Sequence, residues 1–337
     1  MNRWPGFKLS FSQMATTIPQ PAAAPTRWLR RGLLLLAMLV VLLVTFFVWR
    51  PGSALTAIAT VRLRLSGIES RYVRLGPYRI HCFIGGTGEP LVLVHGLGGR
   101  ALDFAPLMLA LAPEHRVFAL DLLGYGSSDR PDVNYSVTLE TGILRQFLES
   151  QGLSRFDLTG WSMGGWISLN FASQYPDRVR RLILLDSAGM KFTPGFDLRL
   201  LSPHTLAEMR GLEKLLTPHP ERTPAFITRD FLRQLRAEDW VIQRTVANMI
   251  TMREVMDGKL ANVTMPVLIV WGKQDVMTPP SVAEEMRREM PQSVVTVLDD
   301  CGHLAPIECR DRVSAEIERF LGANPPLPAG LHELPAH

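Results

Sequence analysis

Cysteine is scarce in this sequence, since Cys82, Cys301 and Cys309 are the only three among 337 residues. Three scattered cysteines exclude a disulfide-rich scaffold and a zinc site of the Cys-x-x-Cys type, and an odd number cannot pair completely within one chain. They do not identify the redox compartment. Charged residues are also few, at 20% against 47% apolar residues, which excludes a disordered, collagen-like or coiled-coil chain and allows a large buried core.

Acidic residues are absent from the first fifty positions, although that segment holds six of the 36 Lys and Arg residues. The rest of the chain carries 30 basic against 32 acidic side chains, so the net charge of +4 comes from the N-terminal segment. Nucleic-acid binding requires a basic face that neutralises phosphates. The nearly neutral body therefore argues against a nucleic-acid partner.

An uncharged apolar run occupies residues 32–49. As a helix its 18 residues would span about 27 Å, close to the thickness of a hydrocarbon core. We predict a transmembrane helix over 32–49, a mobile basic tail over 1–31 and a linker over 50–70. A cleaved signal peptide is the alternative, because Ala57-Ile58-Ala59 has the small-x-small form of a peptidase site, but the run is long and begins far from the N-terminus. The tight cluster of arginines before the run favours a cytoplasmic N-terminus, which places the body on the non-cytoplasmic side, periplasmic in a bacterium.

Short apolar runs of strand length alternate with helical patterns in the body. Two strands around Gly76-Pro77 predict a hairpin, and six nearly continuous apolar runs follow between residues 91 and 298. This alternation is typical of a mostly parallel sheet flanked by helices, so we predict an α/β fold with its core at 71–186 and 266–322 and a C-terminal tail at 323–337. Residues 187–265 are too many for a simple crossover and contain helical patterns, which predicts an inserted helical cap.

The pattern with chemical meaning is Gly160-Trp161-Ser162-Met163-Gly164. A Gly-x-Ser-x-Gly string alone is a weak signal, but here it follows a predicted strand and opens a predicted helix. That context is typical of a nucleophile elbow, in which a strained turn exposes the serine hydroxyl and any side chain on the two glycines would clash. We expect Ser162 to be a nucleophile.

A serine nucleophile needs a base and an acid that orients the base. Asp275 and His303 follow the last two predicted core strands, so both are expected at the same end of the parallel sheet as Ser162. Asp186, after the strand before the cap, is the reserve acid. Taken singly, His303 could be an ordinary loop histidine and Asp275 the cap of a turn; together with the elbow these interpretations lose weight.

A glycine-rich segment, His95-Gly96-Leu97-Gly98-Gly99, follows an earlier strand. It lacks the Gly-Lys-Ser/Thr ending of a phosphate-binding loop. We expect the backbone N–H groups of Leu97 and Met163 to form an oxyanion hole, and His95 to brace the loop rather than to act as a second base.

From about Tyr72 to Leu321 the chain resembles the α/β-hydrolase superfamily. Five segments carry the resemblance: LVLVHGLGG at 91–99, DLLGYGSSDRP at 121–131, GWSMGG at 160–165, PVLIVWGKQD at 266–275 and CGHLAPIE at 301–308. The N-terminal anchor and the cap are similar to monoacylglycerol lipases and to bacterial lipases and esterases of that branch. The resemblance implies Ser162 as nucleophile, Asp275 and His303 as the rest of the triad, an ester or lipid substrate, and no metal or cofactor.

Other chemistries of this superfamily remain to be weighed. Epoxide hydrolases and haloalkane dehalogenases use an aspartate at the position of Ser162, which excludes both. Ring-fission C–C hydrolases share the Ser-Met-Gly-Gly elbow and remain open, as do cofactor-free perhydrolases. The non-enzymatic alternative is a membrane-tethered pseudo-hydrolase that serves as a scaffold, against which the complete catalytic set argues.

Overall fold

The computed structural model describes residues 27–220 and 223–335, and the chain divides into two units between Phe46 and Phe47. Helix α1 spans Arg27–Trp49, so it begins five residues before the predicted span. The residues that precede Gly32 are good helix formers and continue the helix. From Trp28 to Trp49 its mean hydropathy is 2.8, which makes it long and apolar enough to cross a membrane by length and composition. Residues 1–26 of the predicted tail lie outside the described residues, and residues 27–31 belong to α1.

The residues predicted as a linker instead form helix α2, Pro51–Leu65. Pro51 occupies the first turn, where its missing N–H is not needed. Leu63 is fully buried, whereas Ile58 and Val61 are more than half exposed. Because the apolar residues of α2 lie on both of its faces, no amphipathic period marks this helix in the sequence.

Within residues 27–220 and 223–335, nine strands form one sheet in the order β1-β2-β4-β3-β5-β6-β7-β8-β9. The first two are antiparallel to their neighbours and all other pairs are parallel, which confirms the predicted mostly parallel α/β fold. The strands are β1 (Glu69–Leu75), β2 (Tyr78–Gly85), β3 (Glu89–Val94), β4 (His115–Leu120), β5 (Phe156–Trp161), β6 (Val179–Leu185), β7 (Val267–Gly272), β8 (Val294–Leu298) and β9 (Gly330–Leu334).

Strand β9 lies in the segment predicted to be a C-terminal tail. It pairs in parallel with β8 and forms the edge of the sheet. Its three central residues are exposed and a proline-rich stretch precedes it, so the sequence gives little sign of a strand there.

Helices cover both faces of the sheet. The strands are buried on both sides, which explains their continuous apolar sequences: in β3, Val92 and Val94 join one core, whereas Leu91 and Leu93 join the other. The first core is covered by α4 (Val137–Ser150), α5 (Met163–Gln174) and α8 (Ser281–Glu289), and the second by α3 (Ala105–Leu111), α9 (Ala305–Glu308) and α10 (Arg310–Gly322).

The long connection between β6 and β7 is helical, as predicted. It contains α6 (Leu206–Leu216) and α7 (Ala225–Met249), with short 3-10 turns at Leu198–Leu201 and Leu260–Asn262. Thr205 begins α6 with a capping box, since its hydroxyl accepts from the Glu208 N–H while the Glu208 carboxylate accepts from the Thr205 N–H. The inserted helical cap begins after the carboxyl end of β6. The predicted site residues lie at the same end of the sheet.

Candidate active site

Ser162 stands alone in the turn between β5 and α5, with φ of +54° and ψ of −121°. A side chain is rarely held at a positive φ unless the surroundings force it. The two nearby glycines make this tight turn possible because they have no side chain. A Cβ on Gly160 would lie 2.3 Å from the carbonyl oxygen of Gly164, and a Cβ on Gly164 would lie 2.1 Å from the carbonyl oxygen of Val94. The sequence therefore requires glycine at both places, and the strained turn presents the serine at the carboxyl end of β5.

The structure brings together the three residues that sequence analysis singled out. His303 Nε2 lies 2.9 Å from Ser162 Oγ, and His303 Nδ1 lies 2.8 Å from Asp275 Oδ2. Asp275 and His303 are buried, at 3% and 4% exposure. Asp275 accepts further hydrogen bonds at Oδ1 from the backbone N–H groups of Met277 and Thr278, which fix its carboxylate. This arrangement can accept a proton from the serine hydroxyl and hold the imidazole that receives it.

Thr278 is a site residue that sequence analysis missed. Its hydroxyl lies 2.8 Å from Asp275 Oδ2, 3.2 Å from His303 Nδ1 and 3.1 Å from the carbonyl oxygen of Asp186. The signal was present, because a Thr three residues after an Asp is a common turn partner. Thr278 is buried and thereby helps to position both members of the Asp275–His303 pair.

The reserve acid Asp186 is near the pair but does not contact His303. Its Oδ1 accepts from the Gly272 N–H at 2.7 Å, and its Oδ2 has no hydrogen-bond partner among the described residues. Burial, and next the negative charge of Asp275, raise the pKa of Asp186 well above its usual value. Burial therefore favours the protonated form of Asp186, and Asp275 is the acid that contacts the imidazole.

The glycine-rich loop passes directly over the serine. A Cβ on Gly96 would lie 2.9 Å from Ser162 Cβ, and Leu97 lines the same cavity as Ser162. Met163 is the first residue of α5 and directly follows Ser162. Among the described residues, neither the Leu97 N–H nor the Met163 N–H donates to a backbone acceptor.

His95 braces this loop. Its Nε2 accepts from the Leu122 N–H at 3.0 Å, so its Nδ1 carries the proton and donates to the Gly96 carbonyl oxygen at 2.8 Å. It is fully buried, and burial lowers the pKa of its imidazole. A neutral histidine with both nitrogens engaged is a structural element and has no free nitrogen to act as a base.

The His303 loop is held on both sides. Cys301 and Cys309 form a disulfide with their Cα atoms 6.3 Å apart, leaving Cys82 as a buried free thiol. The indole N–H of Trp161 donates to the His303 carbonyl oxygen at 2.9 Å. The cap contributes as well, because the Leu304 N–H donates to the carbonyl oxygen of Leu216 at the end of α6. The sequence shows the two cysteines but gives no sign that they pair across the candidate base.

A cavity of about 330 Å³ opens above Ser162. Its wall is formed mainly by the cap and is apolar. Apart from Ser162, the polar side chains that line it are those of Asp103, Thr278 and His303. Of the cap methionines and phenylalanines, those that line it are Met190, Phe192, Phe196, Met209, Met249 and Met252. Two others do not line it: Met256 is buried in the core, and Phe226 packs edge-on against Phe47.

A second arrangement of the same residue types lies elsewhere. Ser70 Oγ is 2.8 Å from His81 Nε2, and His81 Nδ1 is 2.8 Å from Asp121 Oδ2. Ser70 stands on the exposed edge strand β1 and does not line the cavity. The comparison separates the two sites: hydrogen-bond distances are alike, but only Ser162 has a strained turn and a substrate-sized cavity.

The chain is similar to known proteins along most of its length. A family model for the alpha/beta hydrolase fold matches residues 89–308. Lipase 1 of Psychrobacter immobilis is 28% identical over 248 residues, which are 69% of this chain and 77% of the lipase. The 2-hydroxymuconate semialdehyde hydrolase of Pseudomonas putida is 30% identical over 268 residues, which are 74% of this chain and 93% of that enzyme.

Among solved structures, a membrane phospholipase A described as a bacterial virulence factor superposes with a TM-score of 0.75 at 24% identity, covering 87% of this chain and 98% of that one. This likeness concerns the fold. Together with the match of the family model, it confirms the resemblance drawn from the five sequence segments. The chain belongs to the α/β-hydrolase fold family and has lipases among its relatives.

Proposed function

We propose that this protein is a serine hydrolase of carboxylic esters, acting through an acyl-enzyme on monoacylglycerols or other medium-chain esters. The observation that carries the proposal is the 2.9 Å contact between Ser162 Oγ and His303 Nε2 in a cavity walled by apolar cap residues. The lipases of Psychrobacter immobilis and Moraxella among the relatives support the same class of reaction.

In the proposed mechanism Ser162 attacks the ester carbonyl while His303 Nε2 takes its proton. Asp275 accepts the Nδ1–H of His303, which keeps the imidazole in the tautomer that can act as a base and stabilises the imidazolium. The backbone N–H groups of Leu97 and Met163 donate to the developing oxyanion. His303 then protonates the leaving alcohol, and a water activated by the same imidazole releases the acid and regenerates Ser162.

The cavity lining supports an acyl chain rather than a charged substrate. Flexible methionine side chains among phenylalanines make an adaptable apolar wall. Among the described lining residues there is no Lys or Arg, and the carboxylate of Asp103 already accepts a hydrogen bond from the Arg100 N–H at 2.9 Å. An anionic substrate would therefore be buried without a positive partner, which is costly.

A C–C bond hydrolase remains the second candidate because the Pseudomonas putida 2-hydroxymuconate semialdehyde hydrolase is 30% identical to this chain. Muconate-type substrates carry a carboxylate group. The described lining residues include no Lys or Arg that could pair with this negative charge. The ester reaction is favoured on this ground.

We propose in addition that α1 anchors the protein and that the hydrolase lies on the non-cytoplasmic side. The helix is long and apolar enough to span a membrane, and the Cys301–Cys309 disulfide fits an oxidising compartment. An anchored enzyme would meet lipid esters where they partition, at the bilayer surface.

The function is tested by labelling the full-length protein in detergent with a fluorophosphonate and assaying it on p-nitrophenyl esters, monoacylglycerols and a dienone ring-fission product. We expect label on Ser162 and ester hydrolysis that falls by several orders of magnitude in Ser162→Ala. Ser70→Ala is the matched control, because its hydroxyl also contacts an imidazole but does not line the cavity above Ser162. Faster cleavage of the dienone than of any ester would establish the C–C hydrolase, and a folded, unlabelled, inactive wild type would establish a scaffold.

A further inference from the structure

The outward face of α2 is apolar. Leu55, Ile58, Val61 and Leu65 follow one another at spacings of three, three and four residues, which places them along one side of the helix. Their exposures are 40%, 61%, 56% and 84%. These four residues are called the apolar stripe below. Large contiguous apolar surfaces of this kind on a folded domain mark sites of interaction.

The stripe cannot turn inward, because the opposite side of α2 is fixed to the hydrolase unit. Leu63 is fully buried in the core shared with α3 and α10. At the start of the helix the Gly52 N–H donates to the buried carboxylate of Asp230 on α7 at 2.7 Å. A Cβ on Gly52 would lie 2.1 Å from Gln234 Nε2, so the two helices are in close contact.

The chemistry around the stripe is that of a membrane interface. Arg62 and Arg64 are exposed in the last turn, and Arg50 stacks on Trp49 just before the helix, with its guanidinium carbon 4.7 Å from the ring centroid. Long basic side chains and tryptophan are the residues that border apolar helices at the headgroup level. In the sequence, α2 starts two residues after the last residue of α1, the candidate membrane span.

We propose that α2 lies along the bilayer surface with the apolar stripe inserted at the boundary between headgroups and acyl chains, an inference that rests on the proposed anchor. A second copy of the chain fits the stripe less well. Arg62 stands between Ile58 and Leu65 on the same side of α2, and α2 contains no acidic residue that could pair with it in a protein contact. At a bilayer the same arginine extends to the phosphates.

The placement of α2 has a consequence for the cap. Asp230, which binds the first turn of α2, belongs to the same helix as Ile242, Val246 and Met249, which line the cavity. A membrane-bound α2 would therefore hold α7 close to the lipid surface. Lipid esters would have a short path from the bilayer to Ser162.

The test uses the full-length protein in phosphatidylcholine nanodiscs with a single introduced cysteine carrying an NBD fluorophore. The native cysteines do not interfere, since Cys82 is fully buried and the other two form a disulfide. Labels at Ile58→Cys and Leu65→Cys report the stripe. Labels at Ser53→Cys and Thr60→Cys, which lie on the flank of the same helix, are the matched controls, and Leu39→Cys reports α1.

We expect nitroxide-labelled phosphatidylcholine to quench the two stripe labels roughly threefold more strongly than the two flank labels, because an in-plane helix inserts one side only. Equal and weak quenching at all four α2 positions would overturn the proposal, as would efficient crosslinking between Ile58→Cys residues of two copies without lipid quenching. The Leu39→Cys label keeps the two proposals apart: its quenching tests the anchor and does not depend on α2. None of these readings requires the enzyme to be active.

Discussion

Asp186 and Asp275 are two buried carboxyl groups at the same end of the sheet, and only Asp275 contacts His303. Burial, and next the proximity of Asp275, raise the pKa of Asp186 well above its usual value, which favours its protonated form. Asp186 accepts from the backbone N–H of Gly272, and Asp275 contacts the imidazole of His303. Both acids follow a core strand and precede His303 in the sequence. Their roles differ because their hydrogen-bond partners differ.

The two acids are therefore expected to differ on substitution. Asp275→Asn should lower kcat by about 10⁴-fold, since an amide in that place favours the wrong tautomer of His303. Asp186→Asn should cost less than about tenfold, because the amide oxygen still accepts from Gly272 and asparagine tolerates the positive φ of 43° at this position. Steady-state kinetics on a p-nitrophenyl ester measure both. A larger loss in Asp186→Asn would transfer the acid role to the strand that precedes the cap.

The parts of the molecule that could be predicted from the sequence are those in which local pattern and tertiary role agree. Strands buried on both faces have continuous apolar sequences, and the Ser162 elbow needs its two glycines for contacts that any side chain would break. The order of Ser162, Asp275 and His303 along a parallel sheet then brings them to one end.

The parts that were missed depend on contacts distant in sequence. Helix α2 carries apolar residues on both faces, so its period is hidden, and β9 is a short exposed strand that exists only because β8 pairs with it. The division of the cap side chains between cavity and core was equally hidden. Met209 and Met256 look alike in sequence, but one lines the cavity and the other is buried in the core.

The Cys301–Cys309 disulfide is expected to support the His303 loop. It closes a short loop, with a sequence separation of 8, and should stabilise the fold by about 2–3 kcal/mol. The double variant Cys301→Ser, Cys309→Ser should lose that stability in chemical unfolding and should lose ester hydrolysis roughly tenfold, since the base is less well positioned. Dithiothreitol should affect the wild type in the same way and leave the double variant unchanged. Wild-type stability and activity in the double variant would contradict this role.

Glu140 should make the protein less stable as the pH rises. Burial raises the pKa of this glutamate to about 8, and its Oε2 accepts only the Leu123 N–H, at 3.2 Å. Between its usual pKa of about 4.5 and pH 8 the folded chain holds a proton that the unfolded chain releases, so the free energy of unfolding falls with pH, by an amount on the order of 5 kcal/mol. Glu140→Gln should make the fall in the free energy of unfolding between pH 5 and pH 8 clearly smaller than in the wild type, as measured by urea unfolding. Glu149→Gln, exposed on the same helix, should leave it intact.

Acyl-chain length should be set by the cap side chains that line the cavity. We expect kcat/KM to rise from acetyl toward medium-chain esters and then to level off when the cavity is filled, with each buried methylene contributing at most about 0.8 kcal/mol, or roughly fourfold. Met209 on α6 lines this cavity. Met209→Trp should shorten the preferred chain because the indole occupies space that the distal methylenes would use. The measurement is kcat/KM on a series of p-nitrophenyl esters from acetate to decanoate.

The control for this prediction is Phe231→Trp. Phe231 belongs to the cap helix α7 and is partly buried, but it does not line the cavity, so the same indole there should leave the chain-length optimum where it is. A shift in both variants would mean that the cap responds as a whole and that the lining does not determine length. If the wild-type kcat/KM falls steadily from acetate to octanoate, the prediction itself is contradicted. The apolar cavity of about 330 Å³ above Ser162 would then not bind the acyl chain. Because both substitutions lie outside the Ser162, His303 and Asp275 contacts, activity on the acetate ester should remain within about threefold of wild type in each variant, and this ester reports whether the site is intact.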